Sequence, residues 1–301
     1  MRPVIVVGDV MVDVVARMSG PLALGSDTPA AVSRRPGGAG ANVAAWLAVR
    51  GVAVTLVARV GDDEPGRSAL AGLRSHGVDT GHVATDPERP TGTCVVLVAP
   101  DGERSMLPDP GANAALAPED LPPGAFGAGA HLHLSAYPLL RLGPPRGAAI
   151  LALRRARAAG MTVSLDPSSA ALLGPVDGSR HLALAGRADL MLPNRDEATT
   201  LTGEDDPAAA ARALVAGRAG QVVVTLGADG ALWTDGAGTV TAPAATTGAV
   251  RDTTGAGDAF TAGFLAAWLD GAVPGAALEA GNALAARALA QLGGGPPGPR
   301  G

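Results

Sequence analysis

The chain carries the sequence RDTTGAGDAFTAGFL at Arg251–Leu265. Its first half contains two glycines, and its second half is an apolar run in which Phe260 and Phe264 recur at helical spacing. A glycine-containing loop that opens an apolar helix presents unpaired backbone N–H groups at the positive end of the helix dipole. The stretch therefore predicts a buried helix with an anion-binding turn at its start.

Asp258 directly follows this turn. A carboxylate beside an anion site is unfavourable unless it has a further task. The economical task is to accept a proton from an attacking hydroxyl while the N–H groups hold the charge of a phosphoryl group. The alternative is a first-turn acid that only stabilises the helix dipole, and position alone leaves both interpretations open.

The composition excludes several other phosphate-binding enzymes. All 23 basic residues counted as lysine plus arginine are arginine. The chain therefore has no lysine for a P-loop, for a protein kinase strand or for a pyridoxal phosphate Schiff base. A formal net charge of −5 provides no basic surface for nucleic acid or an anionic membrane. The single cysteine, Cys94, excludes an intrachain disulfide and a thiolate metal cluster.

The order of segments indicates one α/β domain. Hydrophobic residues make up 47% of the chain but aromatic residues only 2%, which suits small side chains packed between helices and a sheet. Strand-like and helix-like segments alternate, and this predicts a three-layer sandwich with a mainly parallel central sheet. Two strand-rich segments, near 10–35 and 91–108, lack crossover helices and are expected to form a small β-sheet lid.

We assign residues 1–295 to this domain and 296–301 to a flexible tail, because the sequence GGGPPGPRG that ends the chain has no reason to fold. The apolar start, Val4–Val7, is interrupted by Asp9 and is not followed by a small-residue cleavage site, so we interpret it as a strand rather than a signal peptide. No apolar run is long enough to span a bilayer. We therefore expect a soluble cytoplasmic protein.

Four segments resemble motifs of the ribokinase-like (PfkB) kinase family, and they occur in the family order. They are PGGAGANVAAWLAVRG at Pro36–Gly51, NRDE at Asn194–Glu197, TLGADG at Thr225–Gly230 and DTTGAGDAFTAGF at 252–264. The resemblance covers nearly the whole chain. It implies a ribokinase-like fold and an ATP-dependent, Mg²⁺-requiring phosphotransferase that acts on a hydroxyl of a small sugar. The implied hydroxyl is preferentially a primary alcohol.

The resemblance also implies a role for each matched residue. Asp258 is the implied catalytic base, and the implied anion hole is the backbone of Gly255, Ala256 and Gly257. The implied sugar-binding residues are Asp13, Gly38 and Asn42. The implied nucleotide and phosphate site comprises Asn194, Glu197, Thr225, Gly227, Gly230 and Asn282.

The implied ion-binding residues each have a structural alternative. The resemblance implies that Glu197 holds Mg²⁺ through water, but Asn194 and Glu197 also have the spacing of a helix capping box. Asp252 and Thr254 are implied ligands of a monovalent cation such as K⁺, or else they stabilise a turn through an Asx-type hydrogen bond. The glycines of TLGADG equally fit a plain turn.

The substrate is left open. Ala39 stands where ribokinases carry a lysine and Ser135 where they carry an acidic residue, which argues against ribose itself. In contrast, GANAALAPEDL at Gly111–Leu121 is more similar to the ribokinase branch than to the nucleoside branch. The alternatives to a sugar kinase are a nucleoside kinase and a non-catalytic sugar- or nucleotide-binding regulator. An exposed lid edge further predicts a homodimer formed through the lid.

Overall fold

The computed structural model describes residues 1–101, 103–122, 124–173, 188–217, 219–246, 248 and 250–298. The described strands are β1 (Val4–Val7), β2 (Met11–Met18), β3 (Ala30–Gly37), β4 (Val54–Gly61), β5 (Asp79–Asp86), β6 (Gly92–Val98), β7 (Arg104–Asp109), β8 (His131–Ser135), β9 (Thr162–Asp166), β10 (Leu190–Met191), β11 (Gln221–Thr225), β12 (Ala231–Thr234) and β13 (Thr239–Ala242). The described helices are α1 (Ala39–Val49), α2 (Glu64–Ser75), α3 (Tyr137–Leu140), α4 (Pro144–Ala158), α5 (Ala170–Leu173), α6 (Arg195–Thr202), α7 (Pro207–Ala216), α8 (Ala256–Leu269) and α9 (Pro274–Leu289).

The larger sheet is mainly parallel. Its described strands run in the order β13-β12-β11-β10-β9-β8-β1-β4-β5. The pairs from β5 through to β11 are parallel, whereas β12 and β13 pair antiparallel at one edge. The carboxyl ends of the parallel strands therefore lie along one side of the molecule, where loops can meet to form a site.

Strand β1 shows why helices cover both faces of this sheet. Val4 and Val6 belong to one buried cluster, and Ile5 and Val7 belong to another. Because successive side chains of a strand point to opposite faces, both faces need an apolar cover. Helices α1, α2, α8 and α9 pack on the first face, and α4, α6 and α7 pack on the second. The predicted three-layer α/β fold is confirmed. Among the described helices, none combines the length and the apolar character that crossing a bilayer requires.

A smaller sheet lies beside the larger one. Its described strands run in the order β3-β2-β6-β7 and come from the two segments predicted to form a small sheet. Asp13 and Cys94 are register partners and are buried on its inner face. Val32 and Leu107 lie on its outer face and are exposed. The two faces therefore have different environments.

Two segments differ from the sequence prediction. Strand β5 is not predicted, because DTGHVATD lacks an apolar alternation, and it forms at the edge of the larger sheet through pairing with β4. The glycine- and proline-rich segment that was expected not to fold makes contacts with the domain through residues 293–297, while the boundary of the domain at 295 stays a prediction. Gln291 Nε2 donates to Gly295 O at 2.6 Å, and the His76 ring nitrogen Nε2 lies 3.1 Å from Pro297 O. Residues 299–301 of the predicted tail lie outside the described residues.

A buried histidine pair links β8 to β9 inside the larger sheet. His131 and His133 have no exposed surface, and their ring nitrogens lie 2.7 and 2.8 Å from Ser164 Oγ. Burial lowers the pKa of His131 to about 3 and the pKa of His133 to about 4. Both histidines are therefore neutral near pH 7, and the unfolded chain takes up protons at a higher pH than the folded chain.

His133→Leu is expected to make the stability of the fold less sensitive to acid. Below about pH 6.5 the unfolded chain gains a proton at each histidine, so each costs about 2 kcal/mol of stability between pH 7.5 and pH 5. The measurement is urea unfolding of both proteins at these two pH values. Leucine preserves apolar packing on β8 and leaves the His131–Ser164 contact in place. Equal acid losses in the two proteins would contradict a neutral buried His133.

Candidate active site

A cavity of about 660 Å³ lies between the smaller sheet and the carboxyl ends of β1, β8, β9, β10 and β11. In open α/β sheets this is the usual position of a ligand site, because loops and helix N-termini converge there. The predicted site residues that line it are Asp13, Gly38, Asn42, Asn194, Glu197, Thr225, Thr254, Gly255, Gly257 and Asp258. The predicted site residues outside its described lining are Ala256, Gly227, Gly230, Asn282 and Asp252.

Asp258 lies half-buried in the first turn of α8, at the cavity wall. Asn42 Nδ2, from α1, donates to Asp258 Oδ2 at 2.8 Å. Burial raises the pKa of Asp258 well above its usual value. The Asn42 hydrogen bond opposes this rise, and the carboxyl groups of Asp166, Asp9 and Asp13 add to it. The site therefore holds a carboxyl group of unusually high proton affinity in a fixed orientation.

The turn before Asp258 presents free backbone amides. Gly255 begins α8 with a φ of 70°, and a Cβ at this position would strike the backbone of Gly294. Both conditions require glycine. Among the described residues, the amides of Gly255 and Gly257 have no hydrogen-bond partner, which leaves them free to bind an anion. Ala256 differs, because its N–H donates to Thr253 O at 3.3 Å, so two of the three predicted amides are free.

Residues 293–295 pack behind this turn. Trp46 Nε1 donates to Gly294 O at 2.8 Å. A Cβ on Gly294 would come within 2.5 Å of Asn42 Nδ2, the group that binds Asp258. Within the run of three glycines, Gly294 is the position at which this contact leaves no room for a side chain.

The predicted sugar-binding residues line the part of the cavity next to the smaller sheet. Asp13 is buried on β2, and its carboxylate accepts no hydrogen bond from any described residue. Burial, together with the carboxyl groups of Asp9 and Asp252, raises the pKa of Asp13 to about 7. Gly38 has a φ of 96°, and a Cβ there would lie 2.7 Å from Asp9 O. A ligand hydroxyl therefore has an unsatisfied acceptor at Asp13 and close access to the backbone at Gly38.

Two further carboxyl groups line the cavity, that of Asp166 at the end of β9 and that of Glu197 in the helix after β10. Asn194 and Glu197 form the expected capping box with two bonds of 2.9 Å, and both residues also line the cavity, so the Mg²⁺ role of Glu197 stays a prediction. Burial, followed by the nearby Asp166, raises the pKa of Glu197. Burial likewise raises the pKa of Asp166. Asp166 was missed by sequence reasoning, although an acid at the carboxyl end of a buried parallel strand is a signal for such a site.

The predicted nucleotide residues are divided between the cavity and the structure beside it. Thr225 lines the cavity at the end of β11. Gly230 has a φ of 92°, and a Cβ there would lie 2.6 Å from Ala244 N, so this position requires glycine. Asn282 Nδ2 donates to Pro243 O at 2.8 Å, which holds the loop after β13. The direct contact of Asn282 with a nucleotide remains a prediction.

Asp252 and Thr254 are engaged by protein groups. Thr254 N donates to Asp252 Oδ1 at 3.0 Å, so the Asx-type turn is present, and Gly293 N donates to Asp252 Oδ2 at 3.0 Å. Arg104 of β7 adds an ion pair, with its Nη2 2.8 Å from Asp252 Oδ1. Burial would raise the pKa of Asp252, but the two amides and the guanidinium outweigh it and lower the pKa. Asp252 is therefore a stable carboxylate.

Residues 1–300 match the pfkB family carbohydrate kinase. The chain belongs to this family. One relative, the ATP-dependent ribose-1-phosphate kinase of Halopiger xanaduensis, is 38% identical over 260 residues, which are 83% of this chain and 79% of that protein.

Two solved structures show the same pfkB architecture. A probable sugar kinase from Rhizobium etli aligns over 98% of this chain and 95% of its own, with a TM-score of 0.88 and 26% identity. A double mutant of the fructokinase from Vibrio cholerae, in a form with fructose, ADP and potassium bound, aligns over 98% and 94%, with a TM-score of 0.82 and 28% identity. The predictions of a ribokinase-like fold and of an ATP-dependent carbohydrate kinase are confirmed.

Gly294→Ala is expected to lower kcat by about tenfold, because the new Cβ displaces the Asn42 amide from Asp258. The measurement is steady-state ADP release with the best sugar acceptor. Gly295→Ala is the matched control, because its Cβ would lie 3.7 Å from Asn42 Oδ1, an ordinary contact. Similar kcat values for the two variants would contradict the role of Gly294.

Proposed function

We propose that this pfkB kinase transfers the γ-phosphoryl group of Mg·ATP to a hydroxyl of a small sugar, with Asp258 as the catalytic base. The preferred acceptor is a primary alcohol. The position of Asp258 carries the proposal. Its carboxyl group lies at the cavity, is held by Asn42, and is next to the amides of Gly255 and Gly257 that are free among the described residues. A base and anion-binding amides at one point are what transfer to a hydroxyl requires.

The raised pKa of Asp258 suits this task. A carboxylate in a buried site is a stronger base towards an alcohol than one in water, provided that it is ionised when the alcohol binds. Asn42 donates to one carboxylate oxygen, Oδ2, and so leaves Oδ1 for the proton of the acceptor hydroxyl. The amides of Gly255 and Gly257 hold the negative charge of the phosphoryl group during transfer.

The acidic pair Asp166 and Glu197, which also lines the cavity, fits a site for Mg²⁺. Burial raises the pKa values of Glu197 and Asp166, Asp166 adds to the rise at Glu197, and Asp9 adds to the rise at Asp166. A divalent cation bound through water would relieve both the lost hydration and the repulsion between carboxylates. Mg·ATP would supply the phosphoryl group and the divalent charge. Thr225 and the glycines Gly227 and Gly230 would then border the nucleotide. Use of ATP also supports a cytoplasmic location.

The cavity favours a small sugar over a nucleoside as the acceptor. Tyr137 is the one aromatic side chain in its described lining, so a nucleobase would find little surface on which to stack. The polar acceptors Asp13 and Asn42 suit hydroxyl groups instead. The non-catalytic alternative is disfavoured because the base, the free amides and the acidic pair lie together in the same cavity.

Asp258→Asn is expected to lower kcat by about a thousandfold, because an amide cannot accept the proton of the hydroxyl. The measurement is ADP release over a panel of sugars, sugar phosphates and nucleosides. Asp270→Asn, an exposed position just after α8, is the control and is expected to keep wild-type turnover. A fall of less than about tenfold with the best acceptor would show that Asp258 is not the base.

We also propose that two chains associate through the outer face of the smaller sheet. The strand register places Val95 opposite Val14 and Leu107, and Ala16 opposite Val32. Leu107 is 56% exposed and Val32 is 65% exposed. An exposed apolar sheet face with edge strands is a typical surface for association.

Leu107→Glu is expected to shift the protein from dimer to monomer, because a charge would be buried in the apolar interface. The measurement is light scattering after size-exclusion chromatography at about 10 μM protein. Val273→Glu is the control, because Val273 is 69% exposed but lies outside the smaller sheet. A wild-type protein that is monomeric at this concentration would refute the proposed dimer.

A further inference from the structure

Arg104 extends from the inner face of the smaller sheet to the turn that begins α8. The strand register pairs Arg104 with Val98 and Val98 with Arg17, so both arginines lie at the same end of this face. Arg104 Nη2 lies 2.8 Å from Asp252 Oδ1, and Arg104 Nη1 donates to Thr254 Oγ1 at 3.2 Å. One guanidinium group therefore joins the smaller sheet to both predicted cation ligands.

The residues present do not fit a bound K⁺ at this position. Asp252 Oδ1 accepts a hydrogen bond from Thr254 N and lies beside the guanidinium of Arg104. Asp252 Oδ2 accepts a hydrogen bond from Gly293 N and lies 3.9 Å from Arg17 Nη2. The Asp252 side chain is only 7% exposed. A K⁺ ion that used these oxygens would meet an arginine and two N–H donors at short range, all of which repel a cation.

We propose that Arg104 is a positioning residue that takes the place of a monovalent cation at the catalytic turn, and that it docks there when the smaller sheet covers the cavity. A guanidinium is a permanent cation whose planar donors can bond two oxygens at once, as they do at Asp252 and Thr254. The effect on turnover rests on the proposed kinase function, whereas the effect on ion binding does not.

The benefit to the reaction follows from charge. Asp252 lies three residues before Gly255, and without a counter-ion its carboxylate would oppose the negative charge that collects at the amides of Gly255 and Gly257. Arg104 neutralises this carboxylate and fixes Thr254 beside the turn. It does so only while the smaller sheet is in place, so the amides gain their full effect when water is excluded from the cavity.

Arg104, rather than Arg17, carries this role. The Arg104 contact with Asp252 is 2.8 Å and its side chain is 21% exposed, whereas the Arg17 contact is 3.9 Å and its side chain is 43% exposed. Solvent screening leaves the longer and more exposed ion pair little strength.

The test compares the wild type, Arg104→Ala and Arg104→Lys in choline chloride and in KCl at equal ionic strength of about 0.1 M. In choline, Arg104→Ala is expected to lose about tenfold or more in kcat. Replacement of choline by K⁺, or addition of guanidinium chloride, is expected to restore about fivefold. The kcat of the wild type is expected to change by less than about twofold between the two salts.

Arg104→Lys keeps one positive charge but not the contact with two oxygens. Its kcat is expected to be intermediate and independent of K⁺. Arg50→Ala is the matched control, because Arg50 is exposed at the end of α1, outside the smaller sheet, and its side chain has no partner among the described residues.

A second measurement does not depend on turnover. The melting temperature of Arg104→Ala without substrates is expected to rise with K⁺ relative to choline, while those of the wild type and Arg50→Ala stay unchanged. A wild type that K⁺ activates or stabilises, or an Arg104→Ala variant that neither ion rescues and K⁺ does not stabilise, would overturn the inference. If no acceptor yields ADP while Arg104→Ala still gains K⁺-dependent stability, the kinase proposal fails but the cation replacement stands.

Discussion

Helix α1 and the end of β1 approach each other so closely that a Cβ on Gly40 would lie 2.7 Å from the Gly8 Cα. This backbone contact places the start of α1 under the cavity and brings Asn42 within reach of α8. The same device recurs on the other side, where Gly255 and Gly294 meet without room for a side chain. The site therefore depends on main-chain segments that pack more closely than any residue type other than glycine would permit.

That close packing gathers several carboxyl groups at the wall of one cavity. Burial is the largest contribution to the raised pKa values of Asp13 and Asp258; Asp9 adds to both rises, and Asp13 adds to the rise at Asp258. Such a cluster is unfavourable in the empty protein and becomes favourable when cations and hydroxyl donors enter. Asp252 is the exception, because two amides and Arg104 already satisfy it. The site thus separates a carboxylate neutralised by the protein from carboxyl groups left for the ligand.

The sequence predicts the features that depend on local patterns. Alternating segments yield the three-layer fold, and the glycine turn before Asp258 yields the base and its amides. The sequence does not predict contacts between segments that are far apart along the chain. Asp166 has no motif around it, the partner of Gly294 lies 248 residues away at Trp46, and nothing near Arg104 indicates that its partner is Asp252. The polar edge strand β5 forms because β4 offers it hydrogen bonds, a tertiary effect that its own residues do not show.

The hydrogen bond between Asn42 and Asp258 joins positions that are 216 residues apart. Contacts of such large sequence separation form late in folding, because loop closure must first be offset by the packing of the intervening sheet. A compact intermediate of this chain can therefore contain most of its helices and strands and still have no aligned base. Recovery of turnover after refolding would consequently report completion of the fold more stringently than any spectroscopic measure of helix content.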